Sequence, residues 1–237
     1  MSALTTDVVV EAPVRSRRDV RRFQRYAAAV VLLMPATLVG IGRLFQTNDD
    51  DTRAALDRIA QQPGRQFTFA LLGFMGYVFV VPAFLAAARL ARRRRPVLTT
   101  VALSVNLLAY LGGTAMVGLD SMYLAGAELP AEQRDAAASM IDKMWSTGLS
   151  GVSTGLFVAG HVIGAILMGF ALRGSIPAAG WLAMILSQPG HVVAFVVLQN
   201  PVADMAAWLL MSACFAFCAA AILRTPDDAW EVPPLTR

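Results

Sequence analysis

The residues that could do chemistry in this chain are a few polar side chains inside long apolar segments. His161 and His191 are the only histidines and lie in successive apolar segments, and Asp120 ends an earlier one. Because ionisable groups are costly in hydrocarbon, each is a candidate functional residue. Carboxyl and imidazole groups are common general acids and bases. The sequence predicts an acid–base site in which Asp120 gives the proton and His161 or His191 is the base or orients it.

Further polar side chains could bind a substrate beside these three residues. The candidates share predicted helix faces or flank the site, and they are Asn106, Tyr110, Thr114, Trp145 and Gln188. If they converge, they form one polar pocket inside the membrane. The alternative is that each only makes hydrogen bonds between helices.

Two carboxylates receive different interpretations. Asp204 follows Asn200-Pro201 and suits the positive end of a helix dipole, which favours a structural role. Asp120 lies at the predicted end of its helix, where the dipole disfavours a negative charge. Either the helix continues past Asp120, or the carboxyl has a partner, or burial keeps it protonated.

Cofactor sites are weakly indicated. Two histidines at similar depth could be axial ligands of a haem, but the pair is a non-specific signal, and we expect neither haem nor a metal. Cys214 and Cys218 lie four residues apart in the last apolar segment, which suits apolar packing rather than a disulfide or metal site. No P-loop, zinc motif or nucleophile elbow is present in the sequence.

Six helices must position these residues. The chain has 237 residues, of which 57% are hydrophobic and 15% charged, and the apolar residues form blocks long enough to cross a bilayer. The predicted spans are 26–44, 67–90, 97–119, 149–172, 176–198 and 202–223. The fold class is therefore an all-α, polytopic transmembrane bundle, with tails at 1–25 and 224–237.

The basic residues predict how the bundle is oriented. If the N-terminus is inside, the inner segments hold fourteen basic and six acidic residues, and the outer segments hold six and ten. This asymmetry places both termini in the cytoplasm. A net charge of +4 arises from these arginine clusters, so we expect no nucleic-acid partner.

The two long outer connections are predicted to contain short helices. In 46–66, Asp51 precedes a helical pattern that Pro63-Gly64 ends. In 120–148, a helix over Pro130–Trp145 has an apolar face of Ala137, Met140, Ile141 and Met144. The second helix is expected to lie over the outer mouth of the bundle, either as an interfacial helix or as a lid.

Several short motifs carry a resemblance to a known group. They are Gln62-Pro63-Gly64-Arg65 before the second span, Gly118-Leu119-Asp120, and the turn with Arg173, Ile176, Pro177 and Trp181. With its arginine-rich inner turn, the chain resembles small multi-pass membrane proteins of high-GC bacteria that carry domain-of-unknown-function labels. The resemblance implies a six-span fold in a bacterial inner membrane and transfers no catalytic residue.

Two classes of function remain open. One is a membrane-embedded cyclase or isomerase for a lipophilic substrate such as an isoprenoid or lipid tail, because proton chemistry on an alkene needs an acid in a dry pocket. The other is a non-catalytic membrane partner or lipophile-binding protein. In both, the expected partner is a membrane lipid or a lipophilic small molecule.

Overall fold

The computed structural model describes residues 14–47, 51–226 and Trp230, and within these residues the chain is helical throughout. The α-helices are α1 Val14–Leu33, α2 Pro35–Arg43, α3 Thr52–Gln61, α4 Pro63–Ala91, α5 Pro96–Glu128, α6 Arg134–Ser146, α7 Gly148–Leu172, α8 Ala178–Val192 and α9 Pro201–Arg224. A 3₁₀ turn, Ala131–Gln133, precedes α6, and a π-helical segment, Val193–Val197, continues α8.

Six of these segments are long and apolar enough to cross a membrane. They are Asp19–Arg43, Pro63–Ala91, Pro96–Glu128, Ser150–Leu172, Ala178–Val197 and Pro201–Arg224. Large apolar side chains face outward along them, among them Val97, Leu111 and Val152, each more than 60% exposed. Such a surface is stable in hydrocarbon rather than in water. The predicted all-α, six-span fold is confirmed, and the chain is a multi-pass membrane protein.

The first and third spans begin or end elsewhere than predicted. The first span consists of α1 and α2, because Pro35 begins α2 directly after α1. This span starts before Tyr26. The third span does not end at Leu119, because α5 continues to Glu128. The added turns are held by packing: Ala127 is buried with Leu56 of α3. The helix therefore continues past Asp120, which is the first of the three alternatives that the sequence left open for this residue.

Helices α3 and α6 cover one end of the bundle, which we call the cap end. Asp51 caps α3 by accepting a hydrogen bond from the Arg53 N–H at 3.0 Å, as predicted. The sequence predicts Pro63 only as the end of this helix, but Pro63 also begins α4, so the second span starts before Phe67. In α6, Ala137 and Ile141 are buried against α3 and α5. Met140 is 54% exposed, so its predicted place on the buried face is wrong. Ala138 lies there instead, because α6 packs against three helices, α3, α5 and α7.

Charged side chains join α3 to α6 at the cap end. The carboxylate of Asp57 accepts hydrogen bonds from Arg53 at 3.0 Å and from Arg134 at 2.8 Å. Arg53 also reaches Asp135, at 2.5 Å. Arg134 and Arg53 hold the pKa of Asp57 below its usual 3.8. This network stays ionised at neutral pH.

The opposite end, which we call the turn end, carries the turns at 92–95 and 173–177 and is tightly packed. Ala83, Ala87 and Ala91 of α4 have no exposed surface, and Phe84 meets Phe215 edge to face at 5.5 Å. Cys214 and Cys218 are free and buried in this core. The close contacts match the density of a protein interior.

Candidate functional site

A cavity of about 320 Å³ lies at the cap end, among five of the spans. Its covered end is formed by Ala55 of α3 and Trp145 of α6. The polar and aromatic residues in its wall are Arg43, Gln46, Thr47, Gln66, Phe69, Tyr77, Asp120, Tyr123, Phe157, His161, His191 and Phe195. A largely apolar cavity with a few converging polar groups is the usual form of a small-molecule site.

A buried carboxylate links two of these wall residues. Oδ1 of Asp204 lies 2.5 Å from Nδ1 of His191, and Oδ2 lies 3.3 Å from Nε of Arg43. Asp204 itself is 1% exposed. The chain Arg43–Asp204–His191 thus joins the ends of α2 and α8 to the start of α9. A carboxylate in this position fixes the orientation and tautomer of an imidazole, as it does in many acid–base sites.

The local sequence explains where Asp204 sits. Asn200 caps α9 by accepting hydrogen bonds from the N–H groups of Val202 and Ala203, each at 3.0 Å. Pro201 then occupies the first helical position, and Gln199 turns the chain with a φ of 46°. Asp204 falls in the first turn, where the helix dipole favours its charge.

The second histidine is held by its own helix. Nδ1 of His161 lies 2.5 Å from the carbonyl oxygen of Phe157, one turn earlier, and the two rings stack at 4.5 Å. The rings of His161 and His191 are 5.7 Å apart and tilted by 54°. Nε2 of His161 is buried and has no hydrogen-bond partner among the described residues. The two imidazoles therefore share one wall of the cavity.

Asp120 reaches the same cavity from α5. It lies one turn after Met116 and one before Tyr123, which line the wall with it. Arg43 of α2 lines the same cavity. The structure thus brings together Asp120, His161 and His191, the three residues that the sequence offers for acid–base chemistry.

The predicted substrate-binding residues divide into two groups. Trp145 lines the cavity. Asn106 and Gln188 are fully buried away from it: Asn106 donates to the Ala102 carbonyl at 2.8 Å, and Gln188 lies 3.9 Å from the Met211 sulfur.

The other two also lie outside the wall. Tyr110 packs behind it, its ring 5.8 Å from that of Phe157. Thr114 is exposed on the outer surface of α5 and donates to the Leu111 carbonyl at 2.6 Å. The structure gives these two side chains, like Asn106 and Gln188, contacts within or beside the helices rather than a place in the cavity wall.

Sequence reasoning misses several residues of the site. It does not single out Arg43, and it presents Asp204 only as a carboxylate at a helix start. The usable signal is that both lie at the same end of apolar segments, where a buried charge requires a partner. Gln66, which accepts from Thr47 at 3.2 Å, and Tyr77 carry no such signal.

Fold and cavity together define a class: a multi-pass α-helical membrane protein whose bundle encloses, at one end, a largely apolar cavity with a few polar groups. Among the described residues, no group of three or more His, Cys, Asp or Glu side chains could hold a metal ion. No protein-family model, curated protein or solved structure matches the chain. Its function must therefore be argued from the cavity itself.

Proposed function

We propose that this protein is a membrane-embedded acid–base enzyme, of cyclase or isomerase type, that acts on a lipophilic substrate such as an isoprenoid or a lipid tail. The observation that carries the proposal is the buried contact of Asp204 with His191, at 2.5 Å. His191 lines one cavity with Asp120 and His161. Placing this set of groups inside a membrane span is costly without a use for them.

Each residue has a role in the proposed reaction. Asp120 donates a proton to one carbon of a double bond, and His191, oriented by Asp204, removes a proton from another carbon. One C–H bond forms and one breaks while the electron pairs shift along the substrate. The proton gained by His191 is released to solvent, and the Asp120 carboxylate takes a proton from solvent before the next turnover, so no other reactant is consumed. A positioned acid or base contributes about 10²–10⁴-fold to the rate.

The shape of the cavity supports a substrate that arrives from the bilayer. Three of its wall residues are themselves exposed: Val158 at 44%, Phe195 at 41% and Val196 at 62%. Val158 belongs to α7, and the other two to the π-helical segment. We infer that the cavity opens sideways between these elements, within spans that contact hydrocarbon, and we call this opening the portal.

Deuterium incorporation tests the reaction whichever lipid is its product. The purified protein in nanodiscs is incubated in D₂O with a bacterial lipid extract, and mass spectrometry then detects lipids that carry deuterium at carbon. We expect the parent to label one lipid class, and His191→Gln and Asp120→Asn to lose about 10²–10⁴-fold of that rate. Glu128→Gln, an exposed carboxyl later on α5, is the matched control and should keep it.

A second candidate function is non-catalytic binding of a lipophile. It is favoured by the Arg43–Asp204–His191 chain, which also ties three helix ends together and so has a structural use. If the parent retains a lipophile but no lipid gains deuterium, binding replaces catalysis as the function. Equal labelling by the parent and His191→Gln would remove His191 from the reaction.

Haem remains the third candidate, through His161 and His191. We expect purified protein to show no Soret band. A stoichiometric Soret peak that disappears in both His161→Ala and His191→Ala would contradict this expectation.

We further propose that the protein lies in a bacterial cytoplasmic membrane with both termini in the cytoplasm and the cap end outside. The arginine asymmetry supports this orientation. In a background without Cys214 and Cys218, cysteines at the exposed positions Gln62 and Glu132 should react with an impermeant thiol reagent in intact cells. Reaction at Arg93→Cys in the 92–95 turn instead would reverse the orientation.

A further inference from the structure

The hydrogen-bonding capacity of the two imidazoles limits which polar group a ligand can carry. Nδ1 of His161 meets the carbonyl oxygen of Phe157 at 2.5 Å, and a carbonyl oxygen can only accept. Nδ1 therefore carries a proton, and Nε2 of the neutral ring presents a lone pair. This Nε2 is the atom that is buried without a partner among the described residues.

The position of the proton on His191 follows from the same argument. Its Nδ1 faces one carboxylate oxygen of Asp204, and the other carboxylate oxygen pairs with Arg43. A carboxylate can only accept, so the proton again lies on Nδ1. The cavity wall thus holds two imidazoles whose Nε2 atoms are acceptors in the neutral ring.

In the part of the chain that the structure describes, the contacts of His161 offer its Nε2 no hydrogen-bond donor. One face of the ring stacks on Phe157, and the ring of His191 lies 5.7 Å away. Within the described residues, no carboxylate contacts His161 to balance a positive ring. A buried acceptor in this position requires a donor from outside the protein.

We propose that the cavity takes a lipophilic molecule whose polar end is a hydroxyl group, an alcohol or a phenol, which donates a hydrogen bond to Nε2 of His161. The inference rests on the proposed function only in that the cavity is the substrate site, and it requires no catalytic step. The apolar tail of the molecule lies toward the portal, where Val158 and Val196 line the opening. His161 is then the residue that selects hydroxyl-bearing lipids.

Three probes with the same tail test the inference on the parent protein. They are 4-nonylphenol, which donates and accepts; its methyl ether, which only accepts; and the corresponding acetophenone, which is a stronger acceptor without a donor. Binding to the full chain in nanodiscs is measured by scintillation proximity, with empty nanodiscs as the background. We expect the phenol to bind about tenfold more tightly than the other two, as for one buried hydrogen bond.

The variant His161→Phe tests the assignment to this residue. It removes the acceptor and keeps a ring to stack on Phe157, so the preference for phenol should fall to about one while the ether binds as before. Thr114→Val, outside the cavity, should keep the preference. Equal binding of the three probes by the parent overturns the inference even if His161→Phe does not fold, and so does a preference that survives in a folded His161→Phe protein.

Failure of this inference differs from failure of the proposed enzyme. A phenol preference without deuterium incorporation leaves the hydroxyl site in place and removes the catalysis. Deuterium incorporation without a phenol preference leaves the enzyme in place and removes the role of His161.

Discussion

At the turn end of the bundle the helices touch, and at the cap end the same helices separate around a cavity. The space around two glycines shows this difference. A Cβ added to Gly169 of α7 would lie 2.5 Å from a side-chain carbon of Ile185 and 2.8 Å from the Trp181 carbonyl, whereas one added to Gly73 of α4 would meet nothing within 4 Å. Gly169 allows α7 and α8 to pack closely, but Gly73 faces the cavity.

The ionisable residues of the site follow the same division. Arg43, Asp204, His191 and Asp120 all lie toward the cap end, while the turn-end core is built mainly from alanine, leucine, methionine, phenylalanine and cysteine. Tight apolar packing leaves no space for a ligand, and an open cavity contributes little packing energy. The comparison indicates that stability comes mainly from one end of the bundle and function from the other.

The largest expected effect comes from breaking the ion pair at the cap end. Asp204→Ala leaves Arg43 without its carboxylate partner, in a site where the two side chains are 12% and 2% exposed. Removing one partner of a buried pair costs about 3–5 kcal/mol. We expect that loss in the free energy of unfolding measured by SDS titration.

The double variant Arg43→Met/Asp204→Leu is the control for this prediction. Replacing both charges by apolar side chains should restore most of the stability, yet deuterium incorporation should remain lost because His191 is no longer oriented. If the double variant is as unstable as Asp204→Ala, the pair does more than balance its own charges.

The next effect compares the two glycines directly. Gly169→Ala should force α7 away from α8 and destabilise the protein by about 1–3 kcal/mol, the range for overpacking. Gly73→Ala should instead stabilise it by about 0.5–1 kcal/mol, because alanine is the better helix residue and its methyl group enters open space. Equal effects in thermal unfolding would contradict the division into a packed and an open end.

A smaller effect on stability, but a clear one on uptake, is expected at the portal. Val196→Trp adds bulk at an exposed wall residue, so the free energy of unfolding should change by less than about 0.5 kcal/mol. The rate of 4-nonylphenol uptake should fall, as measured by the time course of scintillation proximity. Val101→Trp, at a similarly exposed position on α5, should leave the rate unchanged; a slowing in both variants would point to the nanodisc rather than the portal.

The smallest effect concerns the α3–α6 network of the cap. Because the folded-state pKa of Asp57 is lowered, its contribution is present above the ordinary value of 3.8 and is lost as the pH falls through the folded value. At pH 7, amide hydrogen exchange in α6 should therefore be faster in Asp57→Asn than in the parent. The loss of protection of α6 as the pH falls should be smaller in the variant than in the parent. Glu132→Gln, an exposed carboxyl in the 3₁₀ turn before α6, is the control, and identical exchange in Asp57→Asn and parent would show that the network does not hold α6.

The sequence predicts the fold far better than the site. Span number and type follow from the length of the apolar blocks, which burial in lipid dictates. The predicted end of α5 is wrong because Ala127 is kept helical by packing against α3, a contact between segments distant in the chain. Local patterns carry no signal for such a contact.

For a similar reason, the sequence predicts some residues of the candidate site and not others. Asp120, His161 and His191 can be named from the sequence because ionisable residues in apolar spans are conspicuous. Asn106 and Gln188 are equally polar, and only helix rotation decides that they face other helices rather than the cavity. The Asp204–His191 contact depends on the π-helical segment and the turn at Gln199 between them, whose geometry spacing alone does not predict.

The most direct test of the account fills the cavity from Gly73. Gly73→Leu places an apolar side chain into the open space without displacing protein atoms, and Gly118→Leu adds the same side chain to an exposed helical glycine outside the wall. Both variants should fold with at least the stability of the parent. The account predicts that Gly73→Leu loses 4-nonylphenol binding and deuterium incorporation together while Gly118→Leu keeps both. Parent-like binding and incorporation in a folded Gly73→Leu protein would contradict it.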